Sequence, residues 1–347
     1  MNNFKKIGVS ALAGSLAMVS ANAVEYTMTG GLVSTLSQAS GPASVSGESG
    51  RGLGTATDLS FNASGELENG FTVGYFMSVD TNAALANTSS QMTIGMGSLG
   101  TLQINNIGGS SANAIDDVTP NAYNEAWDGM TASAANNNPS WFGSRTSSGS
   151  IEYRIPAQET SGLTIDASLL YDPNADLGST SKGGVQKSQD GYAVTTKIAH
   201  ESGLSVGAGH ELVRNYNTSD SDGAAQGGDN TTVYVTYSMG GISVGYQEAW
   251  QNSMTGAPAA DAPDKEADMM SIAYTTGDLS LSYAQSDIDV KSLGATAALP
   301  TIELESIQAA YVMGAMTVSA AMSKTDNSGG VAADDYKENQ IAVSFAF

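Results

Sequence analysis

Residues able to take part in covalent or acid–base chemistry are few in this sequence. The chain has no cysteine and only two histidines, His200 and His210. A hydrolytic triad or a zinc site needs a histidine beside a nucleophile or beside further ligands. Both histidines have the parity of the apolar residues around them, which predicts that they point out of any polar interior. We therefore expect the protein not to be an enzyme.

Carboxylates offer a second chemistry, because their oxygens are the ligands that Ca²⁺ prefers. Acidic clusters lie at Asp220–Asp222, Asp261–Asp268 and Asp334–Asp335. Their spacing matches no ion-binding loop, so solvated loop charge is the favoured interpretation. We expect no cofactor, with loop-bound Ca²⁺ as the weaker alternative.

One glycine motif has the spacing of a dinucleotide-binding loop. The segment Gly95–Gly100 reads G-x-G-x-x-G. Such a loop must be followed by a helix whose N-terminus meets the pyrophosphate. Here the residues from Thr101 to Ile104 alternate between polar and apolar types instead, which indicates a hairpin turn.

Apolar residues recur at every second position in many segments, and this period predicts the β-strands that position all these residues. In one segment Leu279, Leu281 and Tyr283 alternate with small residues, and in another Met316, Val318 and Met322 do so. Successive strand side chains point to opposite faces, so each segment has an apolar face and a polar face. Sixteen strands are predicted, near 25–37, 57–66, 70–80, 90–97, 100–108, 147–156, 161–172, 188–200, 203–214, 230–239, 241–251, 266–276, 278–288, 303–313, 315–325 and 336–347.

The connections between these strands alternate between short and long. Ser205, Ser243, Ser280 and Thr317 follow turns in equivalent hairpins and recur at roughly 37-residue intervals, as in a meandering sheet. Short turns on one side and long loops on the other are typical of transmembrane β-barrels, and closure removes the two sheet edges. A soluble β-sandwich shares the alternation, but the length and the even strand count favour the barrel.

Composition and the N-terminus indicate where the chain acts. It has 35 acidic and 13 basic residues, a formal charge of −22, which argues against nucleic acid as a partner. Lys5 and Lys6 precede a weakly apolar stretch that ends at Ala21-Asn-Ala23, the order of a secretory signal peptide. We expect residues 1–23 to be cleaved and 24–347 to form one domain. No later run of 18 apolar residues predicts a membrane helix.

The C-terminal segment Gln340–Phe347 alternates Ile341, Val343 and Phe345 with small residues and ends on phenylalanine. It resembles the C-terminal signature of bacterial outer-membrane proteins, which implies recognition by the barrel-assembly machinery. With sixteen strands and one outsized loop, essentially the whole mature chain resembles the Gram-negative general porin family. The resemblance implies an outer-membrane location, contact with outer-membrane lipid, and a homotrimer. It also implies an all-β fold: a 16-stranded antiparallel transmembrane β-barrel with a long third loop folded into the lumen.

In that family the carboxylates of the third loop face basic side chains on the barrel wall. The equivalent connection here is the longest, from Gly109 to about Thr146. Resemblance makes four of its acids candidates for the pore constriction: Asp116, Asp117, Glu125 and Asp128.

Whether a residue lies at an odd or an even position of its strand decides which charged residues of the barrel wall are expected to face the bore. In Ile151–Ile155 the apolar odd positions face lipid, so Glu152 and Arg154 point inward, and the same rule turns Lys197 inward. Arg145, at the end of the loop, is close enough in sequence to reach the bore. Arg214 has outward parity. This basic set is sparser than the family pattern, and we therefore expect mild cation selectivity.

The function predicted is a water-filled channel through which small hydrophilic solutes and ions diffuse passively. Two alternatives remain open. One is a substrate-specific outer-membrane channel, and the other is a non-conducting surface or adhesin barrel.

Overall fold

A computed structural model describes residues 25–41, 49–80, 86–128, 137–144, 146, 148–173, 189–215, 228–253, 264–291 and 299–347. Within these residues no helix is long and apolar enough to cross a membrane. The strands are β1 Glu25–Ser40, β2 Gly50–Glu66, β3 Thr72–Asp80, β4 Ala86–Gly95, β5 Thr101–Ile107, β6 Ser150–Thr160, β7 Leu163–Asp172, β8 Gln189–His200, β9 Leu204–Asn215, β10 Gly228–Met239, β11 Ile242–Ser253, β12 Asp264–Thr276, β13 Leu279–Lys291, β14 Ile302–Met313, β15 Met316–Asp326 and β16 Tyr336–Ala346.

The sixteen strands form a closed barrel in which each strand pairs with its neighbours in sequence and β1 pairs with β16. Every pairing is antiparallel, as at the closing seam, where Leu36 lies opposite Ile341. The seam ends where the backbone N–H of Gly30 donates to the carbonyl oxygen of Phe347 at 2.7 Å. The predicted sixteen-stranded antiparallel barrel is therefore confirmed.

Side chains alternate between the two faces of the wall. Leu281 and Tyr283 are exposed on the outside of β13, whereas Ser282 between them is buried inside. Gly95–Gly100 lies at the hairpin between β4 and β5, as predicted. An apolar outer belt and a polar inner face follow from this alternation, as a barrel in lipid requires.

The polarity of the wall reverses at the loop ends of β12–β14. On β13, Ile288 and Val290 are buried inside the barrel, and the alternate positions Asp287 and Asp289 face outward. On β14, Leu304 is buried and Glu303 is exposed. Carboxylates are disfavoured against hydrocarbon. The apolar belt therefore ends before these strands do.

Several predicted strands were too short at their loop ends, where the apolar alternation stops. The structure extends β2 back to Gly50, β4 back to Ala86 and β13 forward to Lys291. Backbone pairing continues beyond the belt, although the apolar alternation that marked the strands has stopped. The predicted signal peptide lies outside the described residues.

Candidate functional site

The long connection between β5 and β6 enters the barrel at once. The side-chain amide of Gln91 donates to the carbonyl oxygen of Gly108 at 2.9 Å, and that of Gln103 donates to Gly109 at 2.8 Å. Both glutamines are buried on the inner face of the wall. They turn the chain away from the rim and into the lumen.

Glu152 fixes the next residue of the connection. Its carboxylate is fully buried and accepts the backbone N–H of Ser111 at 3.2 Å, together with the Ser111 hydroxyl. The Nε atom of Arg154 donates to the same carboxylate at 3.0 Å, and Nη2 of Arg154 lies 3.4 Å from the carbonyl oxygen of Gly109. Both residues point inward, as parity predicted, but Glu152 has no surface exposed to the channel.

Neutral side chains of the far wall hold the middle of the loop. The backbone N–H groups of Val118 and Tyr123 donate to the side-chain oxygens of Gln247 and Gln308, each at 2.9 Å. Gln247 also donates to the carbonyl oxygen of Asp116 at 2.9 Å, and Gln308 donates to that of Asn124. An amide both donates and accepts, so one glutamine satisfies two backbone groups of the loop.

Apolar contacts complete this seat. Trp127 and Trp141 of the loop are buried in one cluster with inward-facing Met269, Ile288 and Leu304 of β12–β14. The apolar side chains that the polarity reversal turns inward therefore have a partner, which is the loop.

Two glycines of the wall leave room for the loop. A Cβ atom at Gly209 of β9 would lie 2.3 Å from Cζ of Phe142, and one at Gly245 of β11 would lie 2.6 Å from Cδ of Pro120. Such distances are far below van der Waals contact. Larger residues at these positions are incompatible with the observed position of the loop.

The described parts of the loop reach the strand that closes the barrel. The hydroxyl of Tyr123 donates to Oε1 of Gln340 on β16 at 2.9 Å. Farther along, Nδ2 of Asn137 donates to the hydroxyl of Ser328 at 2.9 Å. The returning segment is held by buried Glu211 of β9, whose carboxylate accepts the Thr146 hydroxyl at 2.8 Å.

The four candidate acids form one electrostatic group on this loop. Burial, followed by repulsion from Asp117, raises the pKa of Asp116 to about 8. Burial and the neighbouring charge of Glu125 raise the pKa of Asp117 to about 6. Burial and Glu125 likewise raise the pKa of Asp128 to about 7, although its side chain remains exposed on one side. The structure therefore brings together the acids that the sequence singled out.

The candidate basic residues do not form a matching group. Lys197 is exposed and points inward from β8, and Arg154 is bound to Glu152. Arg145 lies outside the described residues. The inner faces of β1–β4, as described, carry Asp58 and Asp80 but no lysine or arginine.

The two histidines and Arg214 have the outward parity that the sequence predicted, although His200, at the end of β8, also borders a cavity inside the barrel. Nδ1 of His200 accepts the backbone N–H of Ser202 at 3.1 Å, within the turn after β8. His210 pairs with the Thr231 hydroxyl at 2.9 Å. Arg214 stacks over the ring of Tyr192 at 4.6 Å, outward as predicted.

Among the residues that the structure describes, no group of three or more histidine, aspartate and glutamate side chains is arranged to hold a metal ion. Asp220–Asp222 and residues 261–263 of the predicted acidic clusters lie outside this part of the chain. Loop-bound Ca²⁺ stays an untested expectation.

Sequence parity did not identify the glutamines that hold the loop. Gln91, Gln103, Gln247, Gln308 and Gln340 all have inward parity, and this is the signal that was available. In strands read as lining a water column, an inward glutamine carries no mark that distinguishes a loop contact from a hydrated surface.

Comparisons with known proteins cover nearly the whole chain. A family model described as Gram-negative porin matches residues 8–347. No match was found among curated protein sequences. A solved porin structure is 15% identical with a TM-score of 0.62, covering 93% of this chain and 100% of its own. An anion-selective porin from Comamonas acidovorans is 14% identical (TM-score 0.65, 94% and 100% covered), and Salmonella typhi OmpF, in complex with daunomycin, is 13% identical (0.63, 93% and 97%).

Proposed function

Because this chain belongs to the Gram-negative porin family and is an outer-membrane porin, we propose that it passes small hydrophilic solutes and ions by passive diffusion, with a mild preference for cations. The observation that carries the preference is the distribution of charge in the bore. Asp116, Asp117, Glu125 and Asp128 share one loop, and the inner faces of β1–β4 offer them no basic partner.

Electrostatics gives the direction of this preference. A narrow aqueous path between low-dielectric walls focuses the field of its charges. With unbalanced carboxylates the potential is negative, so cations are concentrated and anions are depleted. The fold alone does not determine whether a channel prefers cations or anions, because a structure with the same architecture is described as anion-selective.

The test is the reversal potential of purified protein in planar bilayers under a KCl gradient. We expect the cation-selective sign, weakening at high salt because screening shortens the range of the field. Asp117→Asn and Asp128→Asn should each reduce the potential. Asp287→Asn, on the outer face of β13, is the matched control and should leave it unchanged. An anion-selective sign in the unmodified protein would refute the cation preference.

We further propose that the protein acts as a homotrimer after removal of residues 1–23 and that Phe347 serves recognition by the assembly machinery. Mass spectrometry of protein isolated from outer membranes should give an N-terminus at Val24. Chemical crosslinking in those membranes should give a trimer, and a monomer alone would contradict the assembly. We expect no enzymatic turnover, which esterase and protease assays on the same sample test.

A further inference from the structure

A cavity of about 620 Å³ lies between the docked loop and the inner wall of β6–β10. Ala114, Ile115 and Val118 of the loop line one side of it. The wall side includes Lys197, Asp166 and hydroxyl-bearing residues such as Thr236. The cavity therefore has an apolar side and a polar, charged side.

The charges on the polar side form a dipole. Asp166 on β7 and Lys197 on β8 are directly opposite each other in the strand register, and both side chains are exposed. Within the described residues neither has an ion-pair partner closer than 4.0 Å. Arg154, which also lines the cavity, differs because Glu152 neutralises it at 3.0 Å. One negative and one positive group thus remain available side by side.

We propose that this cavity is a binding subsite for small zwitterions of the amino-acid type that carry an apolar side chain. The carboxylate of the solute binds the Lys197 ammonium, and its ammonium binds Asp166. The apolar part packs on Ile115 and Val118. This inference rests on the proposed channel function, for which it names one class of solute.

Solutes with a single charge fit less well. An anion of the same size meets Asp166 without a compensating ammonium, and a cation meets Lys197 without a carboxylate. Like charges brought together without a partner oppose binding, so the pair discriminates by rejection as well as by attraction. Ion pairs between solvent-exposed groups in a hydrated lumen are weak enough for the solute to leave again, as conduction requires.

The experiment is single-channel recording of the full protein with L-leucine as the probe. Leucine should interrupt the current in a concentration-dependent way. Glycine, hexanoate and isopentylamine, which each lack one of the three groups, should do so only at about tenfold higher concentration. Lys197→Met and Asp166→Asn should each weaken the leucine effect about tenfold.

Two further variants separate binding from folding. The double variant Asp166→Lys with Lys197→Asp reverses the dipole and should restore leucine binding, because a zwitterion can turn round. Lys324→Met removes an exposed lysine of β15 that is paired with Asp326 on the outer face, and it should change nothing. Heat-modifiable migration on gels verifies that each variant is folded.

The outcomes distinguish this proposal from the channel proposal. A protein that does not conduct refutes the channel, and the subsite with it. A conducting protein whose current ignores leucine refutes the subsite alone. The zwitterion assignment is also overturned if hexanoate acts as strongly as leucine, or if the double variant stays as weak as the single ones.

Discussion

The inner walls of β1–β4 and of β11–β14 belong to the same sheet, yet they are built for different neighbours. On β1–β4 the inward residues are mostly glycine, serine and threonine, and Asp58 and Asp80 are among them. On β11–β14 they include Gln247 and Gln308, which bind the loop backbone, and the buried apolar residues Met269, Ile288 and Leu304. One wall faces the open path, and the other is the seat of the loop.

This difference shows that inward parity determines which face of the barrel wall a residue occupies. It does not determine whether that face is in contact with water or covered by the loop. Backbone hydrogen bonding and alternation are the same on both walls. The neighbour across the lumen decides whether an inward position takes a small polar residue or a large apolar one. Four kinds of substitution or condition test this contrast.

The largest effect is expected from placing a charge on the dry wall. Leu304→Asp buries an unpaired carboxylate against Trp127 and should destabilise the loop seat by roughly 3–5 kcal/mol. The matched change Ser60→Asp on β2 should have little effect, because that wall is hydrated. Temperature-dependent gel mobility and channel noise measure both variants. Equal destabilisation would show that the two walls do not differ in this way.

Filling a glycine is the next strongest change. Gly209→Val places methyl groups where the Phe142 ring lies, and overpacking of this kind costs about 1–3 kcal/mol. We expect the loop to be displaced and single-channel conductance to rise or become noisy. Gly52→Val is the control, since a Cβ there has no atom within 4 Å. Unchanged conductance in folded Gly209→Val would contradict the observed seat.

A single hydrogen-bonding clamp is worth less. Gln308→Ala removes contacts to the backbone of Tyr123 and Asn124 and should weaken loop attachment by about 1–3 kcal/mol. Faster proteolysis within the loop of the folded barrel is the expected readout. Asn62→Ala on β2 serves as the comparison and should leave the cleavage rate unaffected.

The mildest change is pH. Since the pKa values of Asp116, Asp117 and Asp128 are raised to about 8, 6 and 7, these groups gain charge as the pH rises from about 5 to about 9. Cation preference should therefore grow over that range. The docked loop binds more protons than the free one there, so docking should weaken as the pH rises. Reversal potentials recorded across this range test the first effect, and a pH-independent value would count against it.

Much of the fold was readable because the outer belt imposes one chemistry on every strand. All sixteen strands follow from residues such as Leu281 and Val318, which alternate for a reason that holds around the whole barrel. The loop end of β13 was not predicted in full, because Asp287 and Ile288 reverse the alternation where the strand leaves the apolar belt. The sequence alone contains no marker of that level.

For the site, the acids on the loop were predicted and are grouped, whereas the role of Glu152 was not foreseen. Parity turned it inward correctly, but a buried carboxylate that receives Ser111 and one that lines a channel look the same in sequence. The same ambiguity hid the glutamines and the apolar seat. For Gln247 and Gln308 the contacts lie more than 100 residues away along the chain, such as that between Val118 and Gln247.

The reversed ends of β12–β14 have a mechanical consequence for the barrel in its bilayer. Sinking would push Asp287 and Glu303 into hydrocarbon, which costs more with depth, whereas rising would strip lipid from Tyr283 and Ile307. Each movement is opposed by a different set of side chains, so the immersion depth of this sector is fixed from both directions. A thinner or thicker bilayer should consequently change its thickness locally around this sector, and the barrel should keep the same depth in the membrane.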